Sequence, residues 1–297
     1  MTTTKQKKNS KLRYLEYYDL QDTLDMLYAD SGRRKIFNNL MPLIESEENI
    51  RLAYRNIKRN SGSNTSGIDR LTIKDIEKIP ETRFVEIVRK KLQWYKPKAV
   101  RRVEIPKPNG KLRPLGIPAI WDRIVQQCIL QILEPICEAK FSDRSNGFRP
   151  NRSAEHAIAQ AYAFMQKSHL HYVVDIDIKG FFDNVSHSKL MKQMWNMGIQ
   201  DKKLLCVIKE MLKAPIVLPN GETIYPQKGT PQGGILSPLL SNIVLNELDW
   251  WIASQWEENP IAISRGRERI IGKTKVFDKS HGYRIMKNTE MKEMHII

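Results

Sequence analysis

The sequence predicts an α+β fold, on three observations. Apolar residues recur at helical spacing over most of the 297 residues. Asn-Gly pairs, at Asn109-Gly110 and Asn220-Gly221, sit between short extended segments as hairpin turns do. One β-branched run, Tyr172–Ile178, alternates with the period of a strand.

Taken in order, residues 1–10 read as a disordered basic tail. Residues 11–45 carry Leu20, Leu24 and Leu27 at helical spacing, with breaks near Ser31-Gly32 and Pro42. A helix is expected over Glu47–Arg59, because its first turn is acidic (Glu47, Glu48) and its last basic (Lys58, Arg59), matching the helix dipole. Asn60–Gly67, NSGSNTSG, reads as a flexible loop. Residues 83–95 read as helix. Val100–Ile105 and Lys111–Ile117 flank Pro106–Gly110 as a hairpin. A long helix over Trp121–Glu138 buries Ile124, Val125, Cys128, Ile129, Ile132 and Leu133, with a kink expected at Pro135.

Another helix is expected over 154–167. In the run Tyr172–Ile178, side-chain alternation puts Val173, Asp175 and Asp177 on one face and Val174, Ile176 and Ile178 on the other. Helices follow over 187–197 and 201–213, then a hairpin within Pro215–Tyr225. Ser237-Pro238 opens a helix, with Ser as N-cap and Pro in the first turn. Leu240, Ile243, Val244, Leu248, Trp251 and Ile252 stripe one face of it. Residues 260–297 are charged and weakly patterned.

Charge narrows the function. Forty-nine Lys and Arg stand against 33 Asp and Glu, a net +16. Residues 51–115 hold eighteen of these basic residues and six acidic ones, a local excess of +12. Such a surface attracts polyanions and releases their counterions, so nucleic acid is the leading partner. The longest uncharged run, Gly229–Asn246, contains two prolines and three glycines and is no membrane span. The N-terminus lacks the apolar stretch of a secretory signal. Cys128, Cys137 and Cys206 make no C-x-x-C pair and read as reduced, mostly buried thiols. The histidines, His169 and His171 included, make no zinc pattern.

Three segments carry chemistry. In HYVVDIDIKGFFDNVSH, Asp177 ends a buried-type strand, where a carboxylate needs a partner; a divalent ion with hard oxygen ligands, Mg²⁺, is one. Phe181-Phe182 follows and can wall a sugar pocket. The alternative is a solvated acidic face beside a core aromatic pair. In KGTPQGGILSPLLSN, Gly233-Gly234 allows close backbone approach and Gln232 offers both donor and acceptor; the alternative is an ordinary loop and helix start. The hairpin gathers Arg101, Arg102, Lys107, Lys111 and Arg113 near one turn, suited to phosphate or to plain solvation.

In this order and spacing, the three segments resemble the reverse transcriptases, and most closely the group II intron reverse transcriptase/maturase family. IRLAYRNIKRNSGSNTSGID resembles that family's N-terminal motif, KLRPLGIPAIWDRIVQQ its second block, and FSDRSNGFRPNRSAEHAI the block before the palm strand. The resemblance covers roughly residues 48–250. It implies a right-hand polymerase: a basic, partly helical extension (1–46), fingers (47–168) and an incomplete palm (169–297), with an antiparallel sheet and packed helices.

The resemblance also implies roles. Asp177 is the first catalytic, metal-binding carboxylate, and the Ile178 carbonyl supports the same Mg²⁺. Phe182 is the gate against ribonucleotides. Lys107 and Arg113 grip the incoming triphosphate, and Gln232 and Gly233 touch the nascent pair and template. Lys58, Arg59, Arg101, Arg102 and Lys111 contact RNA. Asp175 and Asp183 receive no metal role. Implied partners are group II intron RNA, an RNA template with DNA primer, and deoxynucleoside triphosphates (dNTPs), in a ribonucleoprotein of the bacterial cytoplasm with no membrane. A retron-type reverse transcriptase is the alternative. The family's Tyr-Ala-Asp-Asp turn, source of further metal carboxylates, does not follow Asn246; Tyr28-Ala29-Asp30 is a chance match. The 297 residues alone are therefore expected to lack polymerase activity, to lack the thumb, and to expose a sheet edge that favours a homodimer.

Overall fold

Helices dominate the computed structural model, which describes residues 14–106, 108, 110–167, 172–231, 233–254, 267–271 and 274–278. In chain order the first elements are α1 (Tyr14–Tyr17), α2 (Gln21–Gly32), α3 (Met41–Ile44), α4 (Glu47–Arg59), α5 (Ile73–Ile76) and α6 (Glu81–Gln93). Strands β1 (Val100–Pro106) and β2 (Leu112–Ile117) follow, then α7 (Ile120–Glu138), α8 (Ala154–Lys167), α9 (Phe181–Asn184), α10 (His187–Asn196) and α11 (Lys202–Leu212). Strands β3 (Ile216–Val217) and β4 (Thr223–Ile224), helix α12 (Ser237–Ile252), and strands β5 (Arg267–Ile271) and β6 (Thr274–Asp278) complete the order.

The chain divides into two compact units. The first comprises Met1–Lys140 and Ile178–Ser241; the second comprises Phe141–Asp177 and Asn242–Ile297.

In the first unit α7 is the central element, packed against α2, α3, α4 and α6. Its expected stripe is buried in full: Ile124, Val125, Cys128, Ile129, Ile132 and Leu133 expose nothing. Pro135 lies in the last turn, and the helix runs on past it to Glu138. The α4 helix starts where Ser46 accepts from the Asn49 amide, with the acidic and basic ends that the dipole favours. Amides join its buried face to α7, where Asn49 Nδ2 donates to the Cys128 carbonyl and Gln131 Nε2 donates to Asn49 Oδ1 at 2.6 Å, and to α3, where Asn49 Nδ2 donates to the Ile44 carbonyl. Asp201 joins α3 to α11. Its Oδ2 accepts from the Leu40 and Met41 amides, and its Oδ1 caps α11 at Lys203 and Leu204.

The sheet of this unit runs β2-β1-β3-β4. Strands β1 and β2 pair antiparallel with Arg101 opposite Ile117 and Ile105 opposite Arg113, as the Asn-Gly hairpin requires. The second hairpin, β3–β4, joins β1 in parallel.

Several expectations change. Asn60–Gly67 is held rather than loose. Ser61–Asn64 form a 3-10 turn, Arg123 donates to the Gly62 and Thr65 carbonyls at 2.9 and 2.6 Å, and Gly67 lies against Ala119 so closely that a Cβ would stand 2.7 Å from its Cα. Ser237 begins α12, but its hydroxyl donates to the Pro231 carbonyl instead of capping the helix.

In the second unit, Arg149 is buried over the Phe141 ring and donates to the Ser142 and Ser145 carbonyls, while Asn242 donates to Gly147. The expected strand Tyr172–Ile178 is not formed. The segment is without strand structure, and Val173, Val174 and Ile176 are each more than three-quarters exposed. Alternation reports which side chains share a face; a strand also needs a hydrogen-bonded neighbour, and none engages Tyr172–Asp177 among the described residues. Conversely, β5 and β6 pair antiparallel in the stretch that showed little pattern. The basic tail, His169 and His171 lie outside the described residues.

Candidate nucleotide-binding loop and basic face

The Gly229–Gly234 loop is the best-built candidate, and its two ends rest on different elements of the first unit. At one end, Thr230 N donates to the Phe182 carbonyl and Gly229 N to Val185, both at 2.7 Å. Gly229 has φ +92°, and a Cβ there would stand 2.9 Å from the Asp183 carbonyl oxygen and 3.0 Å from that of Phe182. Glycine is thus required twice, for the left-handed backbone and for the close approach. His187 Nε2 is 2.8 Å from the Gly229 carbonyl, and Lys228 Nζ donates to Asn184 Oδ1 at 2.8 Å. At the other end, Gly233 has φ +103°, and a Cβ would meet the Gly116 carbonyl oxygen of β2 at 2.4 Å. Behind the loop, Gln126 of α7 accepts from the Ile235 amide at 2.8 Å.

The structure thus brings Phe182, Gly233 and β2, which carries Arg113, to one loop. Phe182 is half-buried, with its ring 5.8 Å from that of Phe181 at a steep angle. Ile178, 47 % exposed, accepts from the Phe181 amide at 3.2 Å. Arg113 is exposed on β2. Gln232 and Lys107 lie outside the described residues. Sequence reasoning did not single out Gly229, Thr230, His187 or Gln126. The signal for Gly229 was present, since it precedes Thr-Pro in the same motif.

Asp177 ends the second unit's exposed segment, and the division between units falls between it and Ile178. Among the described residues no group of three or more His, Cys, Asp or Glu could hold a metal ion. Asp177 is exposed, and its carboxylate oxygens are of the hard kind that suits a divalent ion.

The basic residues are partly engaged within the fold. Arg101 donates from Nε and Nη2 to the Ser66 carbonyl, at 3.2 and 2.7 Å. Lys58 pairs with Glu77 at 3.2 Å, and the hydrogen bond to Glu77 raises its pKa. Arg59 and Lys111 are exposed. Arg102 is half-buried on β1, with its Nε lacking a partner among the described residues. Beneath this face Arg123 is 7 % exposed, and burial lowers its pKa despite three carbonyl acceptors. Cys128 and Cys137 are buried, which pushes both thiols up, whereas Cys206 is exposed. Among the described residues no helix is long and apolar enough to cross a membrane.

Comparison with known proteins agrees with the motif order. The family described as reverse transcriptase (RNA-dependent DNA polymerase) matches residues 105–267. Protein YkfC of Escherichia coli is 38% identical over 222 residues, covering 73% of this chain and 58% of that protein. Group II intron-encoded protein LtrA of Lactococcus lactis is 38% identical over 224 residues, covering 73% and 36%. The putative COX1/OXI3 intron 1 protein of Saccharomyces cerevisiae is 30% identical over 239 residues, covering 79% and 28%. The chain thus spans from under a third to just over half the length of these relatives. It belongs to the reverse transcriptase family, and within it to the group II intron reverse transcriptases and maturases.

Proposed function

We propose that this chain is the fingers-palm portion (47–168 and 169–297, after an extension over 1–46) of a protein that copies RNA into DNA from dNTPs on an RNA template with a DNA primer. The same protein is proposed to hold group II intron RNA as a maturase. One observation carries the reading: the loop Gly229–Gly234 ties Phe182 to β2 through contacts that only glycine tolerates. A gate ring and a phosphate-gripping strand need such fixed spacing to bind one nucleotide between them.

Mg²⁺ is the proposed ion of the whole protein, because reverse transcriptases use divalent ions and the hard carboxylate oxygens of Asp177 suit it. The 297 residues alone are proposed to bind intron RNA without extending a primer, since Asp177 is the one carboxylate here with a metal role. Lys107, Arg113, Ile178, Gln232 and Gly233 keep their proposed nucleotide roles. Lys58, Arg59, Arg101, Arg102 and Lys111 keep their proposed RNA roles, with Arg101 acting through the loop it holds. A homodimer through residues 172–178, in a cytoplasmic bacterial ribonucleoprotein, completes the reading.

Two assays test it. Binding to folded group II intron RNA and to unstructured RNA of equal length is measured across a salt series. The folded RNA is expected to keep its advantage at high salt, and equal binding would reduce the basic face to a general polyanion grip. Primer extension by the 297 residues, with Mg²⁺ and dNTPs, is expected to be undetectable; measurable product would overturn the inactive reading.

A further inference from the structure

We infer that Trp94 is a stacking platform for an unpaired RNA base, with Lys90 and Lys96 holding the flanking phosphates. The inference rests on the RNA-binding reading and adds to it the residue and the kind of RNA element. Trp94 is 81 % exposed at the C-cap of α6, although the backbone around it is locked. Leu92 exposes nothing. The Tyr95 hydroxyl donates to Asp122 Oδ1 at 3.0 Å, and the Lys98 amide donates to Asp122 Oδ2 at 3.1 Å. The Trp94 amide is bonded to the Lys90 carbonyl at 3.1 Å. The indole is therefore presented to water by a rigid support, which is the arrangement that lowers the ordering cost of binding.

The charge around it selects the partner. Residues 89–98 contain five basic residues and no acidic one. Three of the five are engaged inside the fold. Arg89 donates to the Glu45 carbonyl, Lys91 lies over the Trp121 ring at 5.5 Å, and Lys98 pairs with Asp69 at 3.1 Å. Lys90 and Lys96 are exposed, with no partner among the described residues. Lys90 is four residues before Trp94 and Lys96 two after it, so one cation lies on each side of the ring along the chain. An aromatic face between cations suits a base between two phosphates, and every base offers a π-face. A duplex has its bases already stacked and gives the ring nothing to bind.

The test compares the wild type with Trp94→Ala, Trp94→Phe and the double variant Lys90→Ala/Lys96→Ala. The probes are single-stranded oligouridylate, a blunt RNA duplex with the same number of phosphates, and heparin, a polyanion without bases. Trp94→Ala is expected to weaken oligouridylate binding about tenfold, to leave duplex and heparin binding unchanged, and to leave the salt slope unchanged. Trp94→Phe keeps a ring and is expected to recover most of the loss. The lysine variant is expected to weaken all three probes and flatten the salt slope. The inference is overturned if Trp94→Ala binds oligouridylate like the wild type, or loses all three probes equally. A wild type that binds none of the probes overturns the RNA reading itself, which is a separate result from failure of Trp94 alone.

Discussion

Glu134 shows how one half-buried carboxyl couples this fold to pH. Burial, and then the neighbouring Glu138 one turn on, push its pKa from 4.5 up to about 7. The folded state therefore favours the proton. The stabilising effect is complete below the unfolded pKa of 4.5 and is lost as pH rises through about 7. At pH 8 the ionised group destabilises the fold by up to about 3 kcal/mol, by the linkage between pKa shift and stability. Glu134→Gln is expected to raise the urea midpoint at pH 8 and leave it nearly unchanged at pH 4. Equal midpoints at pH 8 would mean that Glu134 is solvated. This was not legible in the sequence, where Glu134 reads as one more polar position flanking an apolar stripe. Arg123 was hidden in the same way: the motif contains it, but two of its three carbonyl acceptors, Gly62 and Thr65, come from a segment brought to it only by folding. Ser46 was legible in its effects, because the acidic first turn behind it marks a helix start from local sequence alone.

At the scale of elements, the helices were largely legible and their pairing was not. The apolar stripe of α7 names its buried face, and all six expected stripe positions are fully buried. It does not say that α4 meets this face through amides. Asn49 donates to two carbonyls and accepts from Gln131, all without exposure to water. Asn49→Ala leaves several buried groups unsatisfied and is expected to cost about 3 kcal/mol, read from chemical denaturation. A cost under about 1 kcal/mol would mean that water replaces the amide. The loop at Asn60–Gly67 looked flexible by composition because Gly, Ser and Asn are turn formers. What orders it is remote: the fork of Arg123, the Ser66 carbonyl on Arg101, and the contact of Gly67 with Ala119. Arg123→Lys keeps the charge and loses the fork. It is expected to speed amide exchange across residues 61–67 while α7 stays protected; unchanged exchange would assign the loop's order to Gly67 and Arg101.

Across the whole molecule, the two units differ in what they have buried. The first unit holds α7 and its neighbours around a core of fully buried Ile and Leu. The second unit leaves Ile158, Tyr162 and Met165 of α8 exposed, one turn apart along the helix, together with Tyr172, Val173, Val174 and Ile176. The sequence marked 172–178 as a strand because β-branched residues alternate there, and that chemical tendency remains in the exposed segment. A strand-forming run with unpaired backbone groups pairs with whatever edge it meets, including its own copy. The expected signature is an amide exchange rate for residues 172–177 that falls as protein concentration rises, while exchange in α7 stays slow and constant. Val174→Lys places a charge in the run and is expected to keep 172–177 in fast exchange at all concentrations. If those amides exchange fast at every concentration in the unaltered chain as well, the segment does not pair with its own copy, and the homodimer is wrong. If they are protected even at the lowest concentration, the protection is intramolecular, and the strand anticipated from the sequence forms within one chain.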